Sequence, residues 1–115
     1  KSRDQLSGGN GSIKYATLNT GVWSIQVVDA NSGQTAPGDT SLAFTPSGQP
    51  AISYVNGVTG VLNYATWIAG GWRRSNADEG GNLGQTSSLA FTPGGQPAIA
   101  YYDYVNGDLR FAVRQ

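Results

Sequence analysis

Two stretches of the chain decide its architecture: SLAFTPSGQPAISY at residues 41–54 and SLAFTPGGQPAIAY at residues 88–101. They are one fourteen-residue phrase stated twice, with Ser41 opposite Ser88, Pro46 opposite Pro93 and Tyr54 opposite Tyr101, an offset of 47. The match runs on: Gly60-Val61-Leu62-Asn63-Tyr64-Ala65 aligns with Gly107-Asp108-Leu109-Arg110-Phe111-Ala112. Backwards along the chain, Ile13-Lys14-Tyr15-Ala16-Thr17 aligns with Leu62-Asn63-Tyr64-Ala65-Thr66, and Trp23 with Trp72, at an offset of 49. The two extra residues fall between Asn31 and Thr40. Periods of 20 to 50 residues are the mark of solenoids, propellers and arrays.

Periodicity chooses among these. Leu42 and Phe44 alternate with Ala43 and Thr45, Ile52 and Tyr54 with Ala51 and Ser53, and Leu62, Tyr64 and Thr66 with Asn63 and Ala65. Period two means strands. No window carries a helical stripe. Pro46-Ser47-Gly48-Gln49, Asn56-Gly57-Val58-Thr59-Gly60 and Ala69-Gly70-Gly71 supply turn chemistry between them. Each repeat then has four strands: A (Leu42 to Thr45), B (Ala51 to Val55), C (Val61 to Trp67) and D (Gly71 to Ala77). One face of A, B and C is expected to be large and apolar, the other mostly Ala, Ser and Thr. Such faces nest, and four-stranded antiparallel sheets at this spacing are propeller blades. The alternative is a single β-sandwich of about nine strands, which would not require a fixed offset.

Counted in this way the chain reads C-D, A-B-C-D, A-B-C: a partial repeat over about 11–40, a full one over 41–87 and a partial one over 88–115. Residues 1–10 match a missing B strand poorly. The expected fold is all-β, two to two-and-a-half antiparallel blades per chain. A closed propeller needs roughly 4 to 8 blades, so copies must associate. Three copies supply six blades and two supply four, with the last A-B-C completed by a neighbour's D strand, Gly21 to Asp29. The expected partner is therefore the chain itself, as a trimer or else a dimer.

Composition removes several kinds of function. Seven Lys and Arg balance seven Asp and Glu, so long-range attraction to nucleic acid or anionic membrane is not expected. Charged residues make up 12%, against roughly 25% in ordinary domains. With no Cys and no His, disulfides, Ser-His and Cys-His pairs and the usual zinc ligands are excluded. No compact Asp loop suits calcium, so neither metal nor cofactor is expected. The absence of Met, initiator included, reads as a processed, trimmed or excised chain.

The phrase, followed by NG, GDLRFA and a GGW strand, resembles a repeat found in tandem in many bacterial propeller-like proteins. Its usual form runs roughly S-L-A-x-x-x-x-G-x-P-x-I-S-Y-Y-D, then N-G-x-L-x-Y-A, then a Trp-led strand. The resemblance covers residues 11–115; Ala51 and Ala98 depart from it, and Val55-Asn56 replaces the Tyr102-Asp103 kept in the later copy. It implies a fold, and an extracellular or periplasmic location, but no activity. The plan is also similar to the small fucose-binding lectins, whose two-blade chains trimerise into six-bladed propellers. Those lectins set an Arg, a Glu and a Trp at each sugar site. Trp72, Arg73, Arg74 and Glu79 offer such a set once; the earlier copy has Trp23, Ser24 and Ile25.

Trp23 and Trp72 open their D strands. A Trp face can stack on a sugar ring, or the residue repeats because the packing repeats. Arg73 and Arg74 are an adjacent basic pair whose side chains point to opposite sides of a strand. They suit anion or hydroxyl recognition, or pairing with Asp78 or Glu79. Tyr101 repeats Tyr54 and reads as core, whereas Tyr102, Asp103 and Tyr104 have no like residues in the earlier copy and suit a ligand at the B–C loop. Asn10-Gly11-Ser12 is formally a glycosylation sequon. Enzyme readings fare poorly. The S-x-D-x-G-x-x-W turn motif of sialidase-type propellers is absent, and no spacing pairs Asp78, Glu79, Asp103 and Asp108 for glycoside hydrolysis. The expected function is a non-catalytic, lectin-like carbohydrate-binding module; the alternative is a structural or protein-interaction scaffold, including a fragment of a longer or engineered propeller.

Overall fold

Two-residue turns set the frame. At Thr20-Gly21 and at Ala69-Gly70 both residues have positive φ, the geometry that joins antiparallel strands with their natural twist. These turns and the alternating segments between them appear in a computed structural model that describes residues 12–30, 40–56, 60–78, 83–103 and 106–114. Residues 1–10 and the first two residues of the sequon lie outside the described residues. Nine strands are present and no helix among the described residues: β1 (Ile13–Asn19), β2 (Val22–Asp29), β3 (Ser41–Phe44), β4 (Pro50–Val55), β5 (Leu62–Ile68), β6 (Gly71–Asp78), β7 (Leu83–Phe91), β8 (Pro97–Asp103) and β9 (Asp108–Val113).

The strands form three antiparallel sheets, with β1-β2 in sheet 1, β3-β4-β5-β6 in sheet 2 and β7-β8-β9 in sheet 3. The expected order C-D, A-B-C-D, A-B-C is what the chain adopts, and three stacked sheets replace the two of a β-sandwich. The chain is all-β and antiparallel, and by itself an open stack. Strand β7 starts six residues before the repeated phrase reaches its apolar part, pairing Leu83 with Asp103 across a register shift. The loops after β3 and β7 repeat in detail. Thr45 N–H donates to the Gln49 carbonyl at 2.8 Å and Thr92 N–H to the Gln96 carbonyl at 2.9 Å.

Register corrects one expectation. Ala51 pairs with Thr66, Ser53 with Tyr64 and Val55 with Leu62. The large residues of β5 therefore share a face with the small residues of β3 and β4, rather than with Leu42, Ile52 and Tyr54. Pairing parity decides this, because a one-residue change in register turns every side chain over. Each sheet thus has a front face (in sheet 2, Ala43, Ala51, Ser53, Leu62 and Tyr64) and a back face (Leu42, Phe44, Ile52, Tyr54 and Ala65). The two are complementary in relief. The front of sheet 2 packs on the back of sheet 3, burying Ala51, Leu62 and Tyr64 with Leu89, Ile99 and Tyr101. The front of sheet 1 packs on the back of sheet 2, burying Val28 with Ile52, Tyr54 and Ala65.

A bulge recurs at the repeat offset. Ile13 pairs with Asp29 but Lys14 with Val27, and Leu62 pairs with Asp78 but Asn63 with Asn76. The extra residue changes the parity of the strand end. As a result Val28 enters the core and Asp29, the next residue, also faces forward, where the Tyr54 hydroxyl donates to it at 2.7 Å. At the next interface the Tyr101 hydroxyl donates to Asp78 at 2.5 Å. One Tyr–Asp clamp thus joins each consecutive pair of sheets.

Candidate functional site

Between sheets 1 and 2, beside the first clamp, lies a cleft of about 280 Å³ lined by Asp29, Tyr54, Asn56, Asn63, Arg74 and Asn76. The bulge in β2 brings Asp29 to it, and Asn63, Arg74 and Asn76 project there from the back face of β5 and β6. The Asn63 side-chain amide donates to Asn76 Oδ1 at 2.6 Å. Arg74 donates one N–H to the Val28 carbonyl at 3.1 Å, and a guanidinium has five such donors. Burial, then the hydrogen bond to Asp29, pushes the Tyr54 phenol far above its ordinary range, so at neutral pH it is a fixed donor to the carboxylate.

Trp72 and Arg74 face this interface together. The Trp72 indole is held edge-on by Tyr15 and Trp67, with ring centroids 5.5 and 5.7 Å away, and its Nε1–H donates to Gln26 Oε1 at 3.0 Å. It is a wedge between sheets. Arg73 pairs across from Thr66 and so lies on the opposite, front side of β6, exposed.

The other sequence candidates sit on sheet 3. Tyr102 is exposed on its outward front face. Asp103 is buried and takes up structural work: Arg110 Nε lies 3.0 Å from its carboxylate, and Asn106 donates to it from N–H at 3.1 Å and from Nδ2 at 2.9 Å, pinning the β8–β9 turn. Glu79 and Tyr104 lie outside the described residues. The predicted set is therefore not one cluster among the described residues: Trp72 and Arg74 share the face of β6 turned to sheet 1, while Arg73, Tyr102 and Asp103 stand elsewhere.

Asp29, Tyr54, Asn56, Asn63 and Asn76 escaped the reading of sequence. Asp29 and Asp78 stand 49 apart and Tyr54 and Tyr101 stand 47 apart, a repeated acid and a repeated phenol that the alignment already contained. The asparagines gave no such signal, because only pairing across the bulge places them together. The second interface is different in kind. Arg110 takes the place of Asn63 and engages both Asp103 and Asp78, the latter at 3.8 Å. There the Tyr101 phenol is pushed up to about 12 by burial and by Asp78. Compared with known proteins, the chain matches no family model, no curated sequence and no solved structure.

Proposed function

We propose that the protein is a non-catalytic, lectin-like binding module of β-propeller architecture, assembled from copies of this chain, that takes a carbohydrate in the cleft between sheets 1 and 2. The observation that carries the ligand reading is the convergence of Asp29, Asn56, Asn63, Arg74 and Asn76 on that one cleft. A carboxylate, carboxamides and a guanidinium supply the planar, paired acceptors and donors that neighbouring sugar hydroxyls use. At about 280 Å³ the cleft sits at the lower edge of the roughly 300–1,000 Å³ typical of small-molecule sites, a size that suits one or two sugar rings. Arg74 replaces the Ile25 of the earlier copy, so the fold itself does not demand an arginine there. Among the described lining residues Asp29 is the one carboxylate; the non-catalytic reading rests on that single acid, since two-carboxylate hydrolysis needs a pair.

The test is a glycan array, followed by calorimetric titration of Arg74→Gln with the best glycan. An affinity at least ~10-fold weaker is expected, with the fold intact, for loss of a charge-assisted contact. Unchanged binding by Arg74→Gln would sink the site assignment. An array with no binder would leave the interaction-scaffold reading, which the three sheet-to-sheet hydrogen bonds of Tyr54, Trp72 and Arg74 favour.

A further inference from the structure

Sheets 2 and 3 leave a cleft of about 340 Å³ between them, at the other end of the stack from the carbohydrate cleft. The carbohydrate cleft lies where β2 and β4 end; this one lies where β5 ends and β4 and β8 begin, beside the two repeated loops. Its floor is apolar: Tyr64 and Ile68 from β5, and Phe91 and Pro97 from sheet 3. Its rim is polar: Gln49 and Gln96 from the loops, and Arg114 from the end of β9. No carboxylate is among the described lining residues.

Two of these residues are changes that the repeat does not require. At the offset of 49 Ile68 stands for Asn19, and at the offset of 47 Arg114 stands for Trp67. Ile68 is 46% exposed, a large apolar side chain left half in water. Arg114 is held at both ends. Its N–H donates to the Pro97 carbonyl at 3.0 Å, and its guanidinium lies over the Tyr64 ring, 5.5 Å from the centroid. Among the described residues both ion pairs belong to Arg110, so Arg114 carries its charge without a carboxylate beside it. A guanidinium resting a face on an aromatic ring keeps its in-plane donors, and two parallel ones fit a single carboxylate. The access of this position does not come from the edge of sheet 3, since Trp67 is only half-buried with β6 paired beside it.

The loops add a donor. After β7, the Thr92 hydroxyl donates to Gln96 Oε1 at 2.5 Å, a fold-back for which Gly94 makes room, because a Cβ there would stand 2.9 Å from that oxygen. After β3, Ser47 takes the place of that glycine and its hydroxyl shares a hydrogen bond with Thr45 at 3.0 Å. Gln49 is thereby denied the fold-back, and its exposed carboxamide makes no hydrogen bond with the described residues. We propose that this cleft binds a small organic carboxylate with an apolar body. Arg114 takes the carboxylate, the Gln49 amide is a further donor, and the body lies against Ile68, Phe91 and Tyr64. A free apolar acid and the C-terminal residue of a peptide share this chemistry. The inference is independent of the carbohydrate reading, since the two clefts have no lining residue in common.

The experiment is a proton–nitrogen NMR titration of the 115-residue chain with phenylacetate. For so small a ligand a Kd of about 1 mM is expected, with amide shifts at Ile68, Gly95 and Gln96 and none at Asn63 or Asn76. Phenylacetamide keeps the shape and lacks the charge, and it should bind ~10-fold more weakly or worse. Arg114→Gln should weaken phenylacetate by the same factor, and its spectrum, unchanged away from the cleft, shows that the variant is folded. N-acetylphenylalanine binding more tightly than phenylacetate supports the peptide source, and the reverse order supports the free acid. Absence of shifts up to about 20 mM phenylacetate, equal binding of phenylacetamide, or an Arg114→Gln variant that binds as wild type does overturns the proposal.

Discussion

Tyr54→Phe tests whether the repeated clamp joins the sheets. The ring is 1% exposed and its hydroxyl donates to Asp29 at 2.7 Å, so the substitution keeps the packing and deletes one charge-assisted hydrogen bond. Such bonds contribute about 1.5–3 kcal/mol; we take about 2. With an unfolding entropy of roughly 2.1 cal/mol/K per residue, 115 residues convert 2 kcal/mol into a fall in Tm of roughly 8 °C. Urea denaturation at one protein concentration reads the free energy directly, with an unchanged slope as the sign that only stability moved. Asp29→Asn keeps an acceptor and should cost less, about 1 kcal/mol. The double variant should fall short of additivity by ~1 kcal/mol or more, because the two groups share one bond. Tyr101→Phe should cost less than Tyr54→Phe, since Asp78 keeps Arg110 at 3.8 Å. A Tyr54→Phe protein within 0.5 kcal/mol of wild type, or additive costs in the cycle, would refute the reasoning.

Equivalent positions should differ sharply in cost. Leu62→Ala empties a site that is 0% exposed and should destabilise by about 2–5 kcal/mol, whereas Leu109→Ala, at a site 79% exposed, should stay within about 0.5 kcal/mol; similar costs in urea melts would mean that sheet 3 is covered as sheet 2 is. Alkali should weaken the fold through its phenols. The Tyr54 and Tyr101 phenols are raised in the folded chain above an unfolded value of about 10, so their contribution is complete below about pH 10 and is lost as pH rises through the folded values. Urea midpoints at pH 9 and 11 should show the loss, and the Tyr54→Phe/Tyr101→Phe double variant should show less of it; an equal loss in that variant would exclude these phenols.

Nine strands, their order and their turns were legible in sequence, because alternation, Gly-rich turns and a repeated phrase are local signals. Leu42, Ile52 and Tyr54 announce strands wherever they lie. The same letters do not say which face β5 shares with β4, and the expected large face came apart when Ser53 paired with Tyr64. The candidate site was half legible. Of the expected set Trp72, Arg73, Arg74 and Glu79, Trp72 and Arg74 share one face of β6, while Arg73, Tyr102 and Asp103 lie on other surfaces. Asp29 joins Tyr54 only because a bulge changes the parity of the last residues of β2. Composition and spacing alone determined that this chain is a strand-built repeat without histidine or cysteine chemistry. Register, the bulge and the stacking of sheets decided which side chains meet, since each depends on hydrogen bonds between segments that local sequence leaves free to slide.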